Sequence, residues 1–152
     1  MTGVAVDQAV SHLLRSCFLH GPTSVTESGK TASLDRRDGE CVLVFRIRSS
    51  DFPPLSIERS CDAVFFHLAR DGRPTVLLVE LKGSDITHAV EQIVATLPIV
   101  TRGLGALRPK VRAVIVTERG VPKQAKRQIL HFRKIHNVPL KTSKDGRLRS
   151  FL

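Results

Sequence analysis

Apolar positions recur at helical spacing over residues 4–19, where Val6, Ala9, Val10, Leu13, Leu14, Cys17 and Phe18 form a stripe opposite Asp7, Ser11 and Arg15. A stripe of that width predicts an amphipathic helix with one buried side. Gly21-Pro22 closes it. Residues 23–39 are polar, with Gly29 and the run Asp35-Arg36-Arg37-Asp38-Gly39, so a loop or frayed strand is expected there. The pattern then tightens into a first strand, Cys41-Val42-Leu43-Val44-Phe45-Arg46-Ile47-Arg48, followed by a turn at 49–56 that carries Pro53-Pro54. Two more strands are predicted over 60–68 and 75–82, joined by Arg70-Asp71-Gly72-Arg73, whose Asp-Gly pair favours a hairpin. Residues 86–100 have the spacing of a helix capped by Ser84 or Asp85, with Val90, Ile93, Val94 and Leu97 defining its core side. Residues 111–117 are apolar enough for a strand buried on both faces. Pro122 suits the first turn of a helix running to about His136, which Asn137 can end. Residues 138–142 and 148–152 would close a last short hairpin.

The order α-β-β-β-α-β-α, with a terminal strand or hairpin, predicts an α/β fold: a three-layer α/β/α sandwich with a mixed central sheet. A chain of 152 residues, 41% hydrophobic, suffices for one compact domain over 1–152 and is short for two. Its three cysteines, Cys17, Cys41 and Cys61, are odd in number and form no C-x-x-C pair, which argues against a disulfide framework or a zinc site. The first residues lack a basic region followed by an apolar core, and no run approaches the roughly 18 apolar residues needed to span a bilayer. A cytoplasmic protein with no membrane partner is expected.

Charge changes this picture. Residues 1–100 hold 10 basic and 12 acidic side chains, whereas residues 101–152 hold 14 basic and 2 acidic, so the last third is near +12 and the rest near −2. That asymmetry suits a polyanion, because Lys and Arg contacts to phosphate release condensed counterions. In the helix after Pro122, Ala125, Ile129, Phe132 and Ile135 gather on one side, and Lys123, Lys126, Arg127, Arg133 and Lys134 on the other. The basic side is placed to track a nucleic-acid backbone. The plainer alternative is a solvated face. With no Trp or Tyr there is no evident platform for stacking single-stranded bases, so a duplex, junction or end fits better.

The strand at 75–82 is apolar on both faces until Glu80 and Lys82, two apart and therefore on one side. Unpaired charges cost several kcal/mol in such a place, so a partner, a cation or a solvated cleft must compensate them. The hairpin decides what faces Glu80. A three-residue loop Arg70-Asp71-Gly72, with Gly72 left-handed in a bulge, pairs Ala69 with Arg73 and sets Asp62 opposite Glu80. A strict two-residue turn would oppose Asp62 to Leu81 and turn it to the other face. Adjacent carboxylates repel unless a proton or cation lies between them, and oxygen ligands favour Mg²⁺ or Mn²⁺.

Cys61-Asp62, seventeen intervening residues and then Glu80-Leu81-Lys82 resemble the motif of the PD-(D/E)XK nuclease superfamily, with Cys61 where the family has proline. The predicted order of elements is similar to that family's restriction-endonuclease-like core over roughly residues 4–120. The resemblance implies that Asp62, Glu80 and the backbone carbonyl of Leu81 hold Mg²⁺ or Mn²⁺, and that Lys82 stabilises charge. It implies metal-assisted hydrolysis of a phosphodiester, in which the cation activates water and offsets charge on phosphorus. Gln92 sits where several branches carry a glutamine near the metal, and His88, four residues earlier on the same helical side, would join it in meeting substrate phosphate or a metal-bound water; the plainer alternative is a solvated helix histidine and a glutamine that merely favours the helix. Many branches add an acid from the first helix; Asp7, Glu27 and Glu40 are the candidates here. The expected activity is a nuclease acting on DNA, comparable to small junction resolvases or subunits of repair and phage-defence systems, as a homodimer or beside a partner protein. The competing expectation is a nucleic-acid-binding or protein-interaction module that kept the fold and lost turnover. A small-molecule α/β enzyme is disfavoured by the lack of a Gly-rich phosphate loop.

Overall fold

The computed structural model describes residues 22–47, 60–82 and 84–152. The predicted helix at 4–19 and the turn at 49–56 lie outside the described residues. Strands β1 (Ser24–Glu27) and β2 (Lys30–Ser33) form an antiparallel hairpin, where only a loop or frayed strand is expected from sequence. Three strands come next as a meander: β3 (Cys41–Arg46), β4 (Ala63–Leu68) and β5 (Pro74–Leu81). Helix α1 (Ile86–Leu104) crosses to β6 (Lys110–Val116), and helix α2 (Lys123–His136) crosses to β7 (Leu140–Ser143). The main sheet has the order β3-β4-β5-β6-β7, antiparallel through β5 and parallel from β5 to β7. The chain is therefore mixed α/β with a five-stranded mixed sheet.

β5 lies at the centre, and every residue from Thr75 to Leu81 is buried, as its apolar run requires. Alternation along β5 divides the core. Val76 and Leu78 face α1 and α2, packing with Ile86, Ala89, Ile93 and Phe132. Leu77, Val79 and Leu81 face the other way, against Val25, Ala32 and Leu34 of the β1–β2 region and against Leu148. Both described helices thus cover one face. The opposite face carries the hairpin and the C-terminal segment, so among the described residues the expected α/β/α layering has a single helical layer.

Helix α1 starts at Asp85, whose carboxylate accepts from the His88 amide at 3.0 Å. It extends past the expected end at Val100 to Leu104, with Pro98 inside. Asn137 ends α2 in the left-handed region, φ 52°, its amide bonded to the Arg133 carbonyl.

The terminal hairpin expected from 138–142 and 148–152 does not form. Residues 140–143 add a parallel strand beside β6, and a side-chain-capped turn redirects the chain. Ser143 Oγ accepts from the Gly146 amide at 3.0 Å, and Asp145 accepts from the Arg147 amide at 3.0 Å. The chain then meets the open edge of β2, with Ser33 and Leu148 amides bonded to Gly146 and Ser33 carbonyls at 2.9 Å. Edge donors and acceptors with no partner are costly, which is why this segment pairs there. A 3₁₀ turn at Arg149–Phe151 completes the segment.

Candidate active site

The β4–β5 turn settles the register on which the carboxylate pair depends. Ala69 donates to the Arg73 carbonyl at 3.0 Å, Gly72 donates to the Ala69 carbonyl at 2.8 Å, and Gly72 has φ +83°. The loop is thus Arg70-Asp71-Gly72 with glycine in the left-handed position that a side chain disfavours. The paired positions run from Leu68 opposite Pro74 to Ala63 opposite Val79. One residue further, Asp62 lies opposite Glu80, and strand alternation turns both side chains to the helical layer.

Beyond Ala63 the regular ladder gives way to reciprocal side-chain bonds. Asp62 N–H donates to Glu80 Oε2 at 3.0 Å, and Leu81 N–H donates to Asp62 Oδ2 at 2.8 Å. Each carboxylate is fixed by the main chain of the other's strand. Glu80 is 1% exposed and Asp62 6%, so both anions are largely withdrawn from water. Lys82 Nζ stands 3.8 Å from Glu80 Oε1 with its side chain 26% exposed, the most open of the three. Two buried carboxyl groups and the Lys82 ammonium thus meet on one face, and the carboxyl oxygens are hard donors of the kind that Mg²⁺ or Mn²⁺ takes. The Leu81 side chain packs into the opposite core.

Gln92 is buried at 1% on the sheet-facing side of α1. One turn later, Thr96 Oγ1 donates to the Gln92 carbonyl at 2.8 Å and accepts from the Cys61 amide at 2.9 Å. This link between α1 and the residue preceding Asp62 is not foreseen from sequence. The available signal is a polar residue on the buried side of the helix, and the periodicity hides it by suggesting Val94 for the core. Val94 is in fact 37% exposed.

His88 lies in the first turn of α1, at the same end of the sheet as Lys82, and its Nδ1 is 3.4 Å from Glu91. Both line a groove between α1 and α2 with Arg127, His131 and Ile135. Ile135, on the apolar side of α2 with Ala125, Ile129 and Phe132, is 59% exposed on that groove. The five basic residues of α2, Lys123, Lys126, Arg127, Arg133 and Lys134, are all exposed. They are not equivalent in position. Lys82 N–H bonds the Val116 carbonyl at 2.9 Å, so α2, which comes after β6, begins at the site's end of the sheet and runs away from it. At 1.5 Å per residue, Lys134 lies roughly 16 Å further along the axis than Lys123.

Of the acids considered for a third ligand, Asp7 lies outside the described residues. Glu27 is exposed next to the Ser28-Gly29 turn. Glu40 precedes β3, at the end of the sheet remote from Asp62, and accepts from Arg149 at 2.8 and 2.7 Å. Among the described residues no three His, Cys, Asp or Glu side chains cluster as a metal site. Comparison with protein-family models, curated proteins and solved structures finds no match to this chain.

Proposed function

We propose that the protein is a divalent-metal-dependent nuclease of the PD-(D/E)XK type, with a restriction-endonuclease-like core and DNA as substrate. The observation that carries this reading is the opposition of Asp62 and Glu80, two buried carboxylates on one face, with Lys82 beside them. They stand at the C-terminal edge of β5, where the sheet changes from antiparallel to parallel. Clefts at such edges receive ligands because helices that come after parallel strands begin there. Asp62, Glu80 and the Leu81 carbonyl would hold Mg²⁺ or Mn²⁺, which supplies activated water and offsets charge on phosphorus. Lys82 orients the phosphate and stabilises developing charge, while Gln92 lines the buried side of the site. Lys123 and Lys126, at the site's end of α2, hold the duplex backbone, with His88 close to the same edge. Arg127, Arg133 and Lys134 extend that contact.

The competing reading, a binding module without turnover, is favoured by the commitment of Glu40 to Arg149, which removes one candidate third ligand. Cleavage assays separate the two. With Mg²⁺ or Mn²⁺ and labelled duplex, branched and single-stranded DNA, the wild type is expected to cut, and Glu80→Gln and Lys82→Ala each to lose at least about 10²-fold in turnover. Tight, salt-sensitive DNA binding with no metal-dependent cleavage would instead select the binding module.

A further inference from the structure

We propose that Thr96 is a positioning residue of the metal site, acting on Asp62 through the Cys61 amide; this rests on the nuclease reading. A threonine inside a helix ordinarily satisfies its hydroxyl by donating to the carbonyl four residues earlier, and Thr96 does so to Gln92 at 2.8 Å. That bond fixes the hydroxyl proton and leaves the oxygen lone pairs directed elsewhere. The Cys61 N–H, 2.9 Å away and buried, takes one of them. β-Branching restricts the rotamers open to Thr96, so the acceptor is held where the amide needs it.

The bond matters because the next residue along the chain is Asp62, which is outside the regular β4 ladder and has its main chain held piecewise. Its amide donates to Glu80 Oε2 at 3.0 Å, and its carbonyl accepts from Ile47 N–H at 3.3 Å. Thr96 adds the next anchor upstream, one residue before the carboxylate. Removing it frees the Cys61 amide in a fully buried position, where an unpaired donor is unfavourable and the local backbone shifts to find a partner. A shift at Cys61 moves Asp62 Oδ2 relative to Glu80 Oε1 and degrades the geometry of the oxygen donors.

Proline stands in the related motif at the position of Cys61 and has no N–H to satisfy. The Thr96 hydroxyl is thus the counterpart, within this chain, of having an amide at that position. Hydrogen-bonding groups that orient a metal ligand from behind typically change affinity or activity by about 10–100-fold when removed.

The experiment is calorimetric titration of Mn²⁺ into the full chain as wild type, Thr96→Val and Thr96→Ser, each well below its own melting midpoint, with Mn²⁺-dependent DNA cleavage measured alongside. Valine keeps the shape and removes the acceptor; serine keeps the acceptor and loses a methyl. The expected result is a Kd for Mn²⁺ raised about 10–100-fold by Thr96→Val at unchanged stoichiometry, a wild-type Kd in Thr96→Ser, and cleavage that falls in kcat with KM for DNA unchanged. A role confined to stability would lower the fraction of sites titrated and leave Kd alone, and that result overturns the inference. Should Thr96→Val not fold, Thr96→Ala takes its place in the same comparison. Wild-type protein that binds Mn²⁺ and cuts DNA, with a valine variant equal to it, defeats only the role of Thr96. Wild-type protein that neither binds Mn²⁺ nor cuts defeats the nuclease reading and this inference together.

Discussion

Cys61 shows how strongly the site conditions its surroundings. Its thiol is pushed up to about 12, first by burial and then by the negative charges of Glu80 and Asp62, against the opposing hydrogen bond to Thr96. The thiolate is the reactive form, so a thiol raised that far and fully enclosed is inert near neutral pH. Iodoacetamide should therefore alkylate the half-buried Cys41 of the native protein well before Cys61, and reach Cys61 only after denaturation. Peptide mapping decides it, and equal labelling rates in the native state would refute this description. The carboxylate pair beside Cys61 is legible in sequence because two strict rules meet there. Strand alternation places Glu80 and Lys82 together, and a glycine able to take positive φ at position 72 fixes what opposes them. Thr96 is not legible in the same way. Its partner is 35 residues distant, and no local periodicity relates a helix hydroxyl to a strand amide.

Elements with strong periodicity, β3 to β6 and α2, lie where their patterns place them, to within a few residues at their ends. The β1–β2 hairpin escapes because each strand buries only one apolar side chain, Val25 and Ala32. Its turn also uses Ser28, φ 49°, ahead of Gly29, φ 76°, a less common choice than Asn-Gly for two left-handed positions. The C-terminal segment escapes for another reason. Leu148, fully buried against the β1–β2 region, belongs to a long-range contact that no local hairpin rule anticipates. Gly146 is the point where this contact can be broken. It has φ +68°, and a Cβ there would collide with the main-chain oxygen of Thr31. Gly146→Ala combines backbone strain with that collision and should cost at least about 1 kcal/mol. For a domain of this size the melting midpoint falls by at least about 2 °C. An unchanged midpoint in differential scanning calorimetry would show that this segment does not hold the hairpin to the sheet.

At the scale of the whole molecule, Glu40 and Arg149 join the entry of β3 to the C-terminal turn across 109 positions of sequence. Glu40 receives both guanidinium nitrogens at 2.8 and 2.7 Å, with His67 Nε2 at 3.3 Å and the Arg37 amide at 3.2 Å. Arg149 also reaches the Asp35 carbonyl. The Arg149 guanidinium is the largest cause holding the Glu40 carboxyl down, from 4.5 to about 2. A carboxyl depressed in the folded state binds its proton less readily there than in the unfolded chain. Its contribution to stability is therefore fully present above about 4.5 and is lost as pH falls towards about 2. Arg149→Gln removes the cause while leaving Glu40 in place. The variant should be less stable than wild type near neutral pH, and the gap should narrow through the window between those two values. Urea unfolding of both proteins as a function of pH measures that gap directly. A gap constant through the window would mean that the Arg149 side chain contributes by packing alone and that Glu40 titrates alike in both proteins. A gap that narrows would instead identify the ion pair as an acid-labile tie, remote from the Asp62–Glu80 site, between the C-terminal segment and the sheet.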